Sequence, residues 1–210
     1  MRVLVEGSGG AAGWPQPDCR CASCLRMKRD GSMRVRSTIV IDGLVRLGVG
    51  DAGGTDRADG VAGDGDAGGR DAGGGVAGGG NAGRGDAGGT DGAAYRVRRL
   101  ADARDPAEPG GWDVTGPDGG RLLYPARPGA VPVPSEGAAA YDIAFLDLVG
   151  EPAQLGLLRA RGLITADTVT AVAFADHRVS SAGELRRRCE FWRAELPGDG
   201  DAVTTARSAE

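Results

Sequence analysis

Residues 51–92 read DAGGTDRADGVAGDGDAGGRDAGGGVAGGGNAGRGDAGGTDG, almost entirely Asp, Ala and Gly. No other feature limits the fold as strongly. The tract has almost no large apolar side chain to bury, and Gly loses the most backbone entropy on ordering. The unit DAGG recurs at 51, 66, 71 and 86. The expectation is a disordered, low-complexity insert over 51–93. It interrupts one domain, leaving 1–50 and 94–205 as two parts of the same fold and 206–210 as a frayed tail. Gly/Asp repeats also build calcium-binding rolls, but those need an apolar residue at a fixed nine-residue period, which the tract lacks.

The two flanks must therefore supply the core. The chain has 210 residues, is 40% hydrophobic and carries a formal net charge of -4, so no global basic field favours nucleic acid. Basic clusters at Arg34/Arg36, Arg96/Arg98/Arg99 and Arg186/Arg187/Arg188 read as solvated edges or helix faces. The apolar run of the opening MRVLVEGSGG is too short for a secretory segment. No window approaches the roughly 18 apolar residues of a membrane span. A cytoplasmic setting is expected, where thiols stay reduced and four cysteines read as ligands or free thiols rather than bridges.

The elements follow from local pattern. RVLVEGSGG is a β-branched strand entering a Gly-rich turn. Pro15 and Pro17 stand where a dinucleotide-binding helix would begin, which argues against that use of the turn. No G-x-x-x-x-G-K-[ST] occurs, so a P-loop is excluded. ASCLRMKRD predicts a short basic helix, and RVRSTIVIDGLVRLGV a hairpin turning at Asp42-Gly43. AAYRVRRLADA and GWDVTGPDGGRLLYPA predict further strands, the latter a hairpin about Gly-Pro-Asp-Gly-Gly. After a Pro-rich loop over 125–134, AYDIAFLDLVG is a buried strand ending at Asp147. EPAQLGLLRARGLI is a helix with Pro near its start and Gly162 after its end. DTVTAVAFADH is another buried strand. SSAGELRRRCEFWRAEL is a helix capped by Ser181 with Glu184 three residues on, and PGDGDAVTT holds a last short strand. Paired strands followed by strands alternating with helices suit an α/β sandwich with helices outside the sheets.

The chemistry lies in WPQPDCRCASCLRMKRD, where Cys19, Cys21 and Cys24 form C-x-C-x-x-C. A short loop can present three thiolates to one ion, and tetrahedral zinc wants a fourth Cys or His. The chain offers Cys189, mid-helix and suited to packing, and its single histidine, His177, in a loop past a strand end.

At these residues the sequence resembles a family. MRVLVEGSGGAAGWPQPDCRCASC is similar to the opening of metallo-β-lactamase-fold hydrolases of the phosphonate-pathway cyclic phosphodiesterase branch. The resemblance implies a metallo-β-lactamase-like αββα sandwich, here truncated and carrying a low-complexity insert. In that branch the cysteines and a late His of a strand-H-x-x-H element hold a structural zinc. In TAVAFADHRV, His177 falls on that ligand and Phe174 on an active-site metal ligand. The resemblance thus implies one zinc on Cys19, Cys21, Cys24 and His177. The departures are large. The family's dinuclear centre needs an H-x-H-x-D-H cluster, a further His and a bridging Asp, and metals are what activate its water. One histidine cannot supply that set. Arg46 stands at a usual Asp, Ala126 falls near the bridging Asp, and Asp147 is kept as a supporting or relic carboxylate.

A second resemblance is to the N-terminal domain fused to actinobacterial adenosylcobinamide kinase/adenosylcobinamide-phosphate guanylyltransferase. It rests on the cysteine triplet, WDVTGPDGGRLLY and AYDIAFLDLVGEPAQLGLLRARGLI. It implies a link to cobalamin biosynthesis and a cobalamin-pathway enzyme as partner; the charge balance and the lack of a long apolar window lead to the expectation of no nucleic acid and no membrane. The leading expectation is a catalytically degenerate domain with no catalytic residues, serving as a binding or accessory module. One alternative is a phosphodiesterase-type hydrolase with a non-standard site drawn from Asp42, Asp113 and Asp147. The other is a thiol redox protein using Cys21 and Cys24 at a helix N-terminus.

Overall fold

In RVLVEG, alternation puts Val3 and Val5 on one face and Arg2, Leu4 and Glu6 on the other, and the structure buries only the first set fully. This is a computed structural model, which describes residues 1–49 and 94–205. The expected insert over 51–93 and tail over 206–210 lie outside the described residues. The elements are β1 (Arg2–Gly7), α1 (Ala22–Arg29), β2 (Thr38–Ile41), β3 (Val45–Gly48), β4 (Arg96–Ala101) and β5 (Pro109–Thr115). They continue as β6 (Arg121–Pro125), β7 (Ile143–Leu146), α2 (Ala153–Ala160), β8 (Val169–Val172), α3 (Ala182–Trp192) and β9 (Ala202–Thr204).

Two sheets form, ordered β3-β2-β1-β9 and β4-β5-β6-β7-β8. The first is antiparallel throughout, and the second turns parallel from β6 onward, where crossover segments replace hairpins. The sheets face each other through one apolar layer. Val3, Val5, Ile39, Ile41 and Val203 meet Val114, Leu122, Ile143 and Phe145 there, with Tyr124 set edge-on between Phe145 and Phe174. Strand β7 is buried on both faces: Ile143 and Phe145 point between the sheets, while Ala144 and Leu146 point to the helices. Burial of each large side chain here, Ile143, Phe145 and Leu146, contributes about 1.5–3 kcal/mol. Helices α1, α2 and α3 cover the outer face of the five-stranded sheet through Met27, Leu155, Leu158 and Leu185. Among the described residues no helix covers the outer face of the four-stranded sheet. The result is the expected mixed α/β sandwich, with its helices on one side.

The turn signals hold. Asp42 and Gly43 both take positive φ (47° and 73°), and Leu44 N–H closes the turn on Ile41. Ser181 caps α3 by accepting the Glu184 N–H at 3.1 Å, while the Glu184 carboxylate accepts the Ser180 N–H rather than that of the capping residue.

Two expectations need correction, the length of β8 and the setting of the basic clusters, and the glycine turn gains a physical reason. The strand expected over DTVTAVAFADH is shorter: β8 stops at Val172, and Ala175 N–H bonds instead to Ser8 of the first loop. The glycine turn is a packing device. A Cβ on Gly9 would lie 2.7 Å from the Val35 carbonyl oxygen and 2.8 Å from that of Arg34, so the turn passes directly against residues 34–36. The basic clusters are not uniformly solvated. Arg34 is half-buried and donates to Ser8 Oγ and the Pro197 carbonyl, and Arg98 pairs with buried Asp113 at 2.6 Å.

Candidate metal centre

The C-x-x-C spacing places its cysteines at two positions of one helix start. Cys21 is the residue capping α1, and its Sγ accepts the Cys24 N–H at 3.4 Å. Cys19 precedes it in a loop that Lys28 holds to the helix, donating to the Pro17 carbonyl at 2.8 Å and that of Cys19 at 3.3 Å. Cys24 is buried, Cys19 half-buried and Cys21 exposed, so the thiols run from core to surface.

His177 arrives from the far end of the chain. The first loop is laced to the segment after β8 by the Gly9–Ala175 bridge and the Ala175–Ser8 hydrogen bond. Two residues later the imidazole stands over the thiols. Its Nδ1 lies 3.2 Å from Cys19 Sγ and 3.9 Å from Cys21 Sγ. Arg26 of α1 donates to the Ser180 carbonyl at 3.0 Å, fixing the same loop from its other side.

The ligand atoms of Cys19, Cys21, Cys24 and His177 all lie within 4.8 Å of one another. Zinc bonds of about 2.3 Å to sulfur and 2.0–2.1 Å to nitrogen, arranged tetrahedrally, set S···N separations of roughly 3.6 Å. The two S···N distances straddle that value, and the donor set of three thiolates and one imidazole suits zinc. The cluster could hold a metal ion. Cys189 is not part of it: it is buried on α3 and packs in the helical layer.

The thiols differ in acidity. The Cys24 N–H is the main cause that lowers Cys21 to about 7, as expected at a helix start. Burial pushes Cys24 up to about 11.

Asp147 lies just past β7, fully buried. Its carboxylate accepts the Gly129 and Gly150 N–H groups at 2.7 and 3.0 Å and receives both terminal nitrogens of Arg178 at 2.9 Å. The same guanidinium reaches buried Asp176 through Nε at 2.9 Å. Burial works against the Arg178 charge, but its bonds to Asp176 and Asp147 prevail and raise its pKa. A Cβ on Gly150 would stand 2.0 Å from Arg178 Nη1, so the clamp requires glycine there. Asp102 has a similar setting, buried and paired with Arg127 at 2.8 Å.

Sequence reasoning missed Asp176 and Arg178, although both flank His177 in FADHRV. The other named carboxylates are each engaged separately. Asp42 bonds Arg2 N–H and Tyr95, and Asp113 bonds Arg98 and Arg121. Arg46 pairs with Glu6 at 2.8 Å, Ala126 is buried, and Phe174 is fully buried between the sheets.

No family model matches the sequence, and no curated protein does either. Among solved structures the chain is similar to Zn(2+)-bound PqqB from Methylobacterium extorquens, at 13% identity, with 97% of this chain and 100% of that chain covered and a TM-score of 0.48. Among the described residues no helix is long and apolar enough to cross a membrane.

Proposed function

We propose that this chain is a metallo-β-lactamase-like domain that has kept a structural zinc and lost its hydrolytic centre, and that it serves as a binding or accessory module. The observation that carries the reading is the convergence of three thiols and the only imidazole of the sequence on one point. An imidazole spent there leaves none for a dinuclear centre. The Arg178 clamp adds support, because the buried carboxylates nearest that loop, Asp147 and Asp176, already share a cation of the chain itself.

Bound zinc would act as a cross-link, joining the loop before α1 to the loop after β8, so that metal binding free energy becomes folding free energy. The chain's residues arrange the rest: Lys28 and Arg26 hold the two loops, and Cys21 and Cys24 share one helix start. The sequence resemblance further suggests the cyclic phosphodiesterase branch and an adenosylcobinamide-pathway enzyme as partner.

The test is elemental mass spectrometry on wild type, Cys21→Ser and His177→Ala, with turnover of bis-nitrophenyl phosphate assayed under added zinc and manganese. The reading expects one zinc per wild-type chain, loss in both variants and no metal-dependent turnover. Absence of zinc from the wild type refutes the metal site. Two metals per chain, or turnover abolished by Asp147→Asn, refutes the degenerate reading. A second reading has one observation behind it: Cys21, at the start of α1 and lowered to about 7, is placed like a redox thiolate. Zinc-bound thiols resist alkylation until a chelator is added, whereas a redox pair is alkylated after reduction with no chelator.

A further inference from the structure

A cleft of about 550 Å³ opens between the last turns of α3, the start of β8 and the segment 193–196 that returns beside it. Its volume falls in the range of roughly 300–1,000 Å³ that small-molecule sites occupy. Arg34, Arg186 and Arg193 line it together with Glu190, Glu195 and the buried Cys189. It shares no residue with the thiol–imidazole cluster.

The arginines come from three separate segments. Arg34 precedes β2 and is preset, its Nη1 donating to Ser8 Oγ at 2.7 Å and to the Pro197 carbonyl at 2.8 Å. Arg186 lies on α3 and Arg193 is the left-handed residue that ends it. Neither Arg186 nor Arg193 has a side-chain hydrogen bond or ion pair among the described residues. Burial lowers the Arg34 pKa, Asp199 and Asp201 oppose that shift, and the charge of Arg186 adds to it. Arg34 and Arg186 thus line the same cleft as like charges. Arg34, held through one terminal nitrogen, and Arg186, with no side-chain partner among the described residues, are both stabilised by an anion that bridges them. The planar guanidinium fork matches phosphate and carboxylate oxygens in pairs.

We propose that this cleft binds a small metabolite bearing a doubly charged oxyanion, a phosphate ester or a dicarboxylate, gripped by Arg34 and Arg186 with Arg193 at the rim. Glu190 and Glu195 accept hydrogen bonds from hydroxyl or amine groups on the remainder of the ligand, whose size the cavity sets well above that of a bare ion. The site requires neither zinc nor catalysis, so it gives an accessory module something to sense.

The experiment is isothermal titration of the full-length protein with glycerol phosphate and, separately, with succinate, at low salt. Arg186→Gln is the test variant. Arg187→Gln is the control, since Arg187 is exposed on the same helix but does not line the cleft. Circular dichroism establishes that both variants fold. The expected result is saturable one-to-one binding that weakens about tenfold or more in Arg186→Gln and is unchanged in Arg187→Gln. Saturation by glycerol phosphate alone assigns a phosphate ester, and by succinate alone a dicarboxylate. No saturable binding of either probe up to about 10 mM, or equal weakening in both variants, overturns the proposal.

Discussion

Replacing Arg178 by Ala tests how the strand ends are held. The guanidinium makes two hydrogen bonds to Asp147 and shares Asp176, while the carboxylates are 0% and 6% exposed and the arginine side chain 30%. Removing one partner of a buried ion pair costs about 3–5 kcal/mol, because the other charge stays buried and unpaired. Water can reach Arg178, so the lower end, about 3 kcal/mol, is expected. Asp147 would keep only the Gly129 and Gly150 N–H groups, which soften the loss without neutralising the charge. A domain of this size has about 5–15 kcal/mol in total, so the variant remains folded in buffer but is markedly weakened. The assay is urea unfolding at pH 7 followed by tryptophan fluorescence. With a slope of about 1–3 kcal/mol per molar, the midpoint falls by roughly 1–3 M. The double variant Arg178→Met, Asp147→Asn removes both charges and should lose less than the sum of its single changes. A loss below about 1 kcal/mol in Arg178→Ala, or strict additivity in the double variant, would show that the pair is solvated and that the clamp does not hold the loops.

Other expectations follow from the same geometry. A strong zinc chelator should lower the melting temperature of wild type and leave His177→Ala, already metal-poor, unmoved; an unchanged wild type would remove the structural role of the metal. Because ligands must be deprotonated to bind, zinc release measured with a chromophoric dye should increase as pH falls; release that does not depend on pH would contradict thiolate ligation. Phe174→Ala empties a fully buried site beside Tyr124 and should cost about 3–5 kcal/mol in chemical unfolding; a loss under about 1 kcal/mol would contradict its place between the sheets. Gly9→Ala sets a Cβ against two backbone carbonyls, so it should destabilise by about 1–3 kcal/mol and also reduce zinc content, read by elemental analysis. Glu184 is lowered to about 2, chiefly by its bond from Ser180, so its stabilisation is complete above its unfolded value near 4.5 and lost as pH falls toward 2; Glu184→Gln should abolish that part of the acid transition.

The local elements were legible because their causes are local. Asp42-Gly43 carries its own positive φ preference, the Gly116–Gly120 turn joins β5 to β6, and Ser181 with Glu184 marks the start of α3 within four residues. The cysteine triplet belongs to the same class, since three ligands within six residues meet in almost any compact loop. His177 was reachable by counting, as the single imidazole of the chain. The extent of β8 was not legible, because an apolar run does not say where its partner strand ends and the first loop takes over.

Sequence alone therefore determined the strand and helix inventory, the turns, and three clustered thiols with two candidates, His177 and Cys189, to join them. Tertiary structure decided that one helical layer covers one sheet, that Arg178 closes on Asp147, and that Arg34 and Arg186 line one cleft. Hydrophobic periodicity and turn chemistry act over a few residues and leave their mark in order along the chain. Charge pairing and cavity shape act through space, so residues far apart in the sequence acquire a shared role only when two sheets and a returning segment bring them together.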